Sequence, residues 1–327
     1  MNTRILQPTS ANILRCATRL GRGELVAFPT ETVYALGAVA TDEAAVKKVY
    51  EVKGRQPDKP LIVAVAKKSD ISGIAKNVPE KAKMLIDKFM PGALTLVLDK
   101  ADCVPDAVTA GGSSVAVRIP DNPVALKLIA FTGKPVVVPS ANTSDKPSPT
   151  LASHVLDDLD GKIEYILDGG ASEIGIESTI IDMRIDPPVV LRGGGVTVES
   201  IEREIGPIIS RTGAERSDGG YMPTADILFS AYYDGMAQNI CKRADELSQN
   251  GNRVVILCLD GNADKYGERK VYAVGKTYSD YAHNLFAYLR RADAEHIDTV
   301  IAEGVESDGI GSSLINRLIK MSGGQII

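Results

Sequence analysis

The sequence predicts an α/β fold in two domains, and three observations support this prediction. The chain has 327 residues, more than one hydrophobic core usually supports. Short apolar segments alternate with amphipathic segments of helical period along most of its length, as expected where strands alternate with helices. A stretch rich in Gly, Pro and Ser at residues 207–224 separates two such patterns and has the composition of a linker.

Bulk composition restricts the class of protein. A hydrophobic fraction of 44% with 24% charged residues is ordinary for a soluble globular protein. The net charge of −5 disfavours a protein that coats nucleic acid, because such domains are usually basic. No apolar run approaches the ~20 residues of a membrane span, and the amino terminus lacks the apolar core of a signal peptide. The four cysteines have no zinc spacing. We therefore expect a cytoplasmic protein without membrane contact.

The first domain is predicted from strands and helices in alternation. Ser10 is expected to cap a helix that reaches Leu20. The run 61–66 is apolar throughout, which predicts a strand covered on both faces. The other predicted strands are 25–28, 94–98, 115–119, 136–138, 163–167, 178–183 and 189–191, and further helices begin near residues 41, 79, 122, 151 and 197.

The second domain repeats the alternation on a smaller scale. Segments 227–229, 253–258 and 299–302 are predicted strands, and segments 236–247, 281–290 and 312–321 are predicted helices. This pattern indicates a small Rossmann-like α/β domain.

The loop 53–61 is the most informative stretch for function. Lys53, Arg55 and Lys59 fall within seven residues, and one glycine and two prolines stiffen the same loop. Cations held on a stiff loop can converge on one phosphate or carboxylate. A solvated basic turn is the alternative interpretation.

The remaining polar residues favour chemistry on phosphate. Hydroxyl-rich segments 29–37 and 139–150 follow predicted strands. Arg118 and Arg192 stand beside apolar strand residues, where a charge requires an anion or a structural salt bridge. The three histidines have no metal-ligand spacing, and no G-x-S-x-G elbow occurs. Such a site suits phosphoryl or nucleotidyl transfer, in which positioning and charge neutralisation dominate.

Eight segments, in order over residues 10–206, resemble the YrdC-like threonylcarbamoyl-AMP synthase family. They are Pro29-Thr-Glu-Thr-Val-Tyr34, Lys53-Gly-Arg55 with Lys59-Pro-Leu61, Pro91-Gly-Ala-Leu-Thr-Leu96, Val115-Ala-Val-Arg118, Pro139-Ser-Ala-Asn142, Pro147-Ser-Pro-Thr150, Glu177-Ser-Thr-Ile180 and Leu191-Arg-Gly193. The helix containing Ile315-Asn316-Arg317-Leu318 resembles the extra domain of the two-domain members. The resemblance implies a catalytic domain with a twisted mixed sheet at 1–206, a linker at 207–224 and a Rossmann-like domain at 225–327.

The resemblance also implies a reaction. L-Threonine, bicarbonate or CO2, and ATP with Mg²⁺ would give threonylcarbamoyl-AMP and pyrophosphate, which makes the chain a nucleotidyltransferase. A separate tRNA threonylcarbamoyl transferase would then pass the group to an adenosine of tRNA, and weak RNA contact is a further expectation.

Site residues follow from the same match. Thr32, Arg118, Val138 and Ser178 correspond to positions that hold threonine, and Arg118 is the expected partner of its carboxylate. The positions that match nucleotide contacts are Arg55, Lys59, Ser114, Ser140, Asn142, Ser148, Arg192 and Tyr221. Lys53 and Arg55 are the expected catalytic residues, because with Mg²⁺ they would offset charge on the leaving pyrophosphate. No metal-ligating side chain is predicted.

The chain departs from the family pattern in two places, and two other functions stay open. Ala64 stands where members usually have histidine, and the linker that contains Tyr221 is shorter than usual. A non-catalytic RNA-binding module of the same fold is the main alternative, with strong salt dependence and no threonine requirement. A related carbamoyl-transfer activity occurs in larger maturation proteins, but their zinc-finger segments are excluded here by the cysteine spacing.

Overall fold

The computed structural model describes residues 2–144, 146–210 and 224–327. The chain divides into two compact units, one formed by Met1–Ser144 and Ser148–Thr212, the other by Asp145–Pro147 and Gly213–Ile327. Tyr221 and most of the predicted linker lie outside the described residues, so the predicted boundaries stay predictions. Within the described ranges, no helix is both long and apolar enough to cross a membrane.

The first unit is built on a twelve-stranded mixed sheet, which confirms the predicted α/β class. The strand order is β1-β9-β2-β3-β8-β4-β7-β6-β10-β11-β12, and β5 pairs with β6. The strands are β1 Arg4–Leu6, β2 Val26–Phe28, β3 Ala35–Val39, β4 Ile62–Ala64, β5 Ala75–Lys76, β6 Leu94–Lys100, β7 Ser114–Arg118, β8 Val136–Val137, β9 Tyr165–Leu167, β10 Thr179–Asp182, β11 Val189–Arg192 and β12 Ile209–Ser210.

Helices cover this sheet. They are α1 Ser10–Gly21, α2 Glu43–Lys53, α3 Glu80–Phe89, α4 Asp106–Thr109, α5 Pro123–Thr132, α6 Ala152–Leu159 and α7 Val198–Ile205, with a 3-10 helix at Lys68–Gly73. Helix α2 begins after Asp42, whose side chain accepts a hydrogen bond from the Ala45 amide. Helix α1 is capped by Thr9, so the prediction of Ser10 as the cap is wrong by one residue.

Alternating strand residues separate the first unit into two hydrophobic cores. Leu36, Val63 and Val117 pack with helices α2, α3, α6 and α7 on one face. Ala64 and Val136 pack with α1 and α5 on the other face. Side chains on a strand point alternately to its two faces, so β4 contributes to both cores. This confirms the prediction that the apolar run 61–66 is covered on both faces.

The second unit has a four-stranded, fully parallel sheet of order β13-β16-β14-β15. Its elements are β13 Asp226–Phe229, α8 Met236–Gln249, β14 Val254–Cys258, a 3-10 helix at Asp260–Tyr266, β15 Val271–Ala273, α9 Tyr278–Ala294, β16 Thr299–Ala302 and α10 Ile310–Met321. The parallel strands and intervening helices match the predicted Rossmann-like pattern.

Candidate active site

Sheet topology brings the predicted functional loops to one end of the first unit. Strand β8 runs antiparallel to both β3 and β4, whereas β4 and β7 are parallel. The Val138 amide donates to the Ile62 carbonyl at 2.8 Å, and Ala35 forms an isolated bridge with Ser140. The end of β8 therefore lies beside the beginnings of β3 and β4. Loops 29–34, 53–61 and 139–144 meet there.

The turn that precedes β3 is ordered by its own hydroxyl groups. Thr30 Oγ1 donates to the Val33 carbonyl at 2.6 Å and lies 2.9 Å from Thr32 Oγ1. The Thr32 side chain is fully buried. These bonds fix the Thr32 hydroxyl, which a solvated turn would leave free to rotate.

Arg118 at the end of β7 is the centre of a buried polar cluster. Its side chain is 7% exposed and that of Glu31 is 3% exposed. Arg118 Nη2 lies 2.7 Å from Glu31 Oε1 and donates to Thr32 Oγ1 at 2.9 Å. Arg118 Nε donates to the Gly92 carbonyl at 3.3 Å. Two segments distant in sequence, one with Glu31 and Thr32 and the other with Gly92, thus converge on the guanidinium group of Arg118.

The Arg118–Glu31 pair is ionic without being a well-aligned hydrogen bond. Its short distance identifies an ion pair, yet neither Glu31 carboxylate oxygen accepts a hydrogen bond from any described residue. Within the same described ranges, Arg118 Nη1 makes no hydrogen bond, which leaves one edge of the guanidinium for a further anion. Glu31 was not assigned a role from the sequence. The signal was available, because a buried arginine requires an acidic partner.

A small cavity opens beside this cluster and is lined by three of the four residues predicted to bind threonine. They are Thr32, Arg118 and Val138. The cavity has about 250 Å³ of empty space, part of it open to solvent. A wider cavity of about 990 Å³ lies elsewhere, near Val65 and Lys134, and no predicted site residue lines it. We place the site at the smaller cavity, because buried ionic and hydroxyl groups converge there.

The fourth predicted threonine residue, Ser178, lies beside a predicted nucleotide residue, Arg192. Ser178 is fully buried just before β10. Arg192 Nε and Nη2 donate to the Ser178 carbonyl at 3.0 and 2.9 Å, and Nη2 lies 3.2 Å from its hydroxyl oxygen. Thr95 Oγ1 is 2.8 Å from the same hydroxyl. The arginine at the end of β11 therefore fixes Ser178.

Lys53, at the end of α2, is fixed to the loop that follows β8. The residue is 3% exposed. Its Nζ donates to the Ser140 carbonyl at 2.5 Å and to the Asn142 carbonyl at 2.6 Å. The Ser144 amide donates to the Lys53 carbonyl at 2.8 Å. Lys53 thus joins two predicted nucleotide residues, Ser140 and Asn142, through their backbone.

Burial, together with the smaller effect of the nearby Arg55 charge, lowers the pKa of Lys53 from 10.5 to about 7. Between about pH 7 and 10.5 the unfolded chain therefore binds more protons than the native protein, so stability rises with pH. We expect the free energy of unfolding of the wild type, relative to Lys53→Met, to be constant below pH 7 and to increase above it. Urea denaturation of both proteins from about pH 6 to 9 measures this difference. A flat difference over the whole range contradicts the lowered pKa.

The remaining predicted residues lie on the surrounding loops. Arg55 Nη2 donates to the Pro60 carbonyl at 3.2 Å, and the Lys59 carbonyl accepts from Tyr50 at 2.9 Å. Ser114 is the first residue of β7, whose beginning lies beside that of β4. Ser148 donates to Glu177 at 2.8 Å. All four residues occupy the end of the sheet where the polar loops meet.

Comparison with known proteins covers both units. A family model described as "Telomere recombination" matches residues 18–194. A second model, described as "Threonylcarbamoyl-AMP synthase, C-terminal domain", matches residues 196–323. Together they account for most of the chain.

Individual relatives also match nearly the whole of this chain. A threonylcarbamoyl-AMP synthase of Bacillus subtilis is 43% identical over an alignment of 335 residues, gaps included, which covers 98% of this chain and 96% of the relative. One from Pyrococcus abyssi is 43% identical over an alignment of 320 residues, which covers 93% of this chain and 92% of the relative. The crystal structure of P. abyssi Sua5 complexed with L-threonine superposes with a TM-score of 0.92 at 41% identity, covering 100% of this chain and 98% of that one.

Proposed function

The chain belongs to the two-domain, YrdC-like threonylcarbamoyl-AMP synthase family, and we propose that the cavity beside Arg118 and the loops around it form its active site. The enzyme makes threonylcarbamoyl-AMP and pyrophosphate from L-threonine, bicarbonate or CO2, and ATP, and so acts in tRNA modification. The observation that carries the site assignment is the cavity lined by Thr32, Arg118 and Val138. The P. abyssi relative, solved with L-threonine, supports a threonine site in this fold.

In this proposal, threonine binds in the cavity by its polar groups and its methyl group. The Nη1 edge of Arg118 pairs with the threonine carboxylate, because the other edge is held by Glu31 and Thr32. The Thr32 hydroxyl bonds a substrate oxygen, and Val138 offers an apolar wall to the methyl group. Ser178, fixed by Arg192, completes the set. Groups ordered before binding lower its entropic cost.

ATP binds across the neighbouring loops. Its predicted contacts are Arg55, Lys59, Ser114, Ser140, Asn142, Ser148 and Arg192, with Tyr221 outside the described residues. Arginine and lysine neutralise the non-bridging phosphate oxygens, and hydroxyl and amide groups orient the rest of the nucleotide. Such a site catalyses mainly by holding the reacting groups in line.

The reaction needs little proton transfer at its second step. The threonine nitrogen first bonds to the carbon of CO2 and loses a proton, or bonds to the carbon of bicarbonate with release of water, and becomes a carbamate. A carbamate oxygen then bonds to the α-phosphorus of ATP while the bond from that phosphorus to the pyrophosphate oxygen breaks. The carbamate is already anionic, so this attack requires no histidine base, and the charge on pyrophosphate is offset by Arg55 and Lys59.

We include Mg²⁺ as the ion that accompanies ATP. The described residues contain no group of three His, Cys, Asp or Glu side chains placed to hold a metal ion. Mg²⁺ keeps several waters and is usually held by substrate phosphates with one or two carboxylates, so the ATP phosphates are its expected ligands. Bound to ATP, it would neutralise phosphate charge.

We further propose that the product passes to a tRNA threonylcarbamoyl transferase in the cytoplasm, with at most weak RNA contact by this chain. The overall charge of −5 supports the weak contact, because RNA-binding surfaces are usually basic. The alternative, a non-catalytic RNA-binding module, predicts tight RNA binding that falls steeply with salt and no response to threonine.

The proposal is tested by incubating the full chain with ATP, bicarbonate, Mg²⁺ and each amino acid in turn. We expect pyrophosphate release and an acyl-adenylate, detected by mass spectrometry, with L-threonine and not with the other amino acids. Omitting bicarbonate should stop the reaction, and adding tRNA should not be required. Pyrophosphate release that is independent of threonine, or absent with every amino acid, overturns the proposal.

A further inference from the structure

We propose that Lys53 is a positioning residue, which acts on ATP through the loop 140–144 and does not itself touch the phosphates. This inference rests on the proposed function, because it concerns how the ATP site is built. It assigns Lys53 a role different from the phosphate clamp predicted from the sequence.

The contacts of Lys53 carry the inference. Its ammonium group has three N–H donors, and the Ser140 and Asn142 carbonyls accept two of them. The side chain is buried, so reaching a phosphate in open solvent would require both bonds to break. Both carbonyls, of which the one at Asn142 accepts a buried bond and the one at Ser140 a part-buried bond, would then lose their partner. Two of the N–H groups of Lys53 are therefore committed to carbonyls of the loop.

The loop depends on Lys53 for its conformation. The Ser144 amide bonds back to the Lys53 carbonyl, so the side chain and the backbone of one residue hold the two ends of the segment. The Ala141 amide donates to the Tyr34 carbonyl at 2.9 Å. The segment 140–144 is thus hydrogen-bonded to the end of helix α2 and to the residue that precedes β3.

The same geometry explains why a buried lysine is present. Burying a cation is unfavourable unless it is well bonded, and two backbone carbonyls supply that bonding. Arg55, two residues later, lies beyond the end of the helix, because Gly54 ends it in the left-handed region with φ of 62°. Lys53, the last residue of the helix, is therefore buried, whereas Arg55 lies in the basic loop, where it can contact a phosphate.

A double-mutant cycle on ATP affinity tests the inference. If Lys53 acts through Ser140, Lys53→Met and Ser140→Ala should each weaken ATP binding, Lys53→Met by about tenfold. The double variant should bind no more than about twofold worse than Lys53→Met alone, because the Ser140 contact is already lost. Lys59→Met combined with Ser140→Ala is the control, and its two effects should multiply. Calorimetry with ATP measures all affinities.

If the losses of ATP affinity in Lys53→Met and Ser140→Ala multiply in the double variant, the inference is overturned, because a lysine that binds phosphate independently of Ser140 gives that result. A wild type that binds no ATP would instead overturn the proposed function. Amide hydrogen exchange without nucleotide gives a second readout on Lys53→Gln, whose shorter side chain can reach at most one carbonyl. The Ala141 and Ser144 amides should exchange faster than in the wild type. Unchanged exchange at both amides overturns the positioning role.

Discussion

Replacing Arg118 with alanine is expected to reduce threonine-dependent pyrophosphate release strongly and to lower the free energy of unfolding by about 3–5 kcal/mol. The variant leaves the Glu31 carboxylate buried without its cation, and it removes the donor to Thr32. It also removes the proposed partner of the threonine carboxylate. Residual activity should require far more threonine, whereas the ATP requirement should change little. Urea denaturation and steady-state kinetics measure the two effects separately.

Two further variants separate the structural contribution from binding. Arg118→Met with Glu31→Gln removes both buried charges, so stability should largely return while activity should not. Arg184→Ala is the matched control, because Arg184 pairs with Asp182 at 2.7 Å in the same unit but is 34% exposed. Its cost should be about 1 kcal/mol or less. An equal rise in the threonine and ATP requirements of Arg118→Ala contradicts a specific carboxylate contact.

Replacing Gly194 with alanine is expected to destabilise the first unit by about 1–3 kcal/mol or more. A Cβ at this position would lie 2.2 Å from the Glu177 carbonyl oxygen and 2.5 Å from the Ser178 carbonyl carbon. Both neighbours are backbone atoms, so the segment 192–195 must move away from Ser178. The Arg192–Ser178 hydrogen bonds would weaken, and threonine and ATP should both bind less tightly. Thermal unfolding and calorimetry measure these changes.

Gly21→Ala is the control for this substitution. Gly21 ends helix α1, and its added Cβ meets no atom within 4 Å. Alanine is a better helix former than glycine, so stability should be unchanged or higher by up to about 1 kcal/mol. If Gly194→Ala is as stable as the wild type and binds both substrates normally, the close packing at Ser178 does not support the site.

Local signals account for the elements that the sequence predicted. A helix was expected to begin near residue 41, and α2 does begin after Asp42, which caps it, with Val46 and Val49 buried. Strand β3, Ala35–Val39, was missed because small residues and a glycine follow a hydroxyl-rich turn, which is typical of a loop. Pairing with β2 and β8 stabilises it. Sheet order was equally inaccessible, because it depends on contacts between distant segments.

In the candidate site, too, the residues could be predicted from the sequence but their contacts could not. The resemblance to the family identified these residues, and Thr32, Arg118 and Val138 do line one cavity. Their contacts could not be derived from spacing, because Lys53 and Ser140 are 87 positions apart and Arg118 and Thr32 are 86 apart. Glu31 was overlooked because an acidic residue among threonines is also typical of an exposed turn. Only the fold places it beside Arg118.

The proposed reaction is tested most directly by following the carbon atom that bicarbonate contributes to the product. The full chain is incubated with L-threonine, ATP, Mg²⁺ and ¹³C-labelled bicarbonate, and the acyl-adenylate is analysed by mass spectrometry. We expect an adenylate that contains the whole of threonine and is one mass unit heavier than the product made with unlabelled bicarbonate. It should form together with pyrophosphate. An unlabelled threonyl-adenylate, or pyrophosphate release without any carbon from bicarbonate in the product, would contradict it.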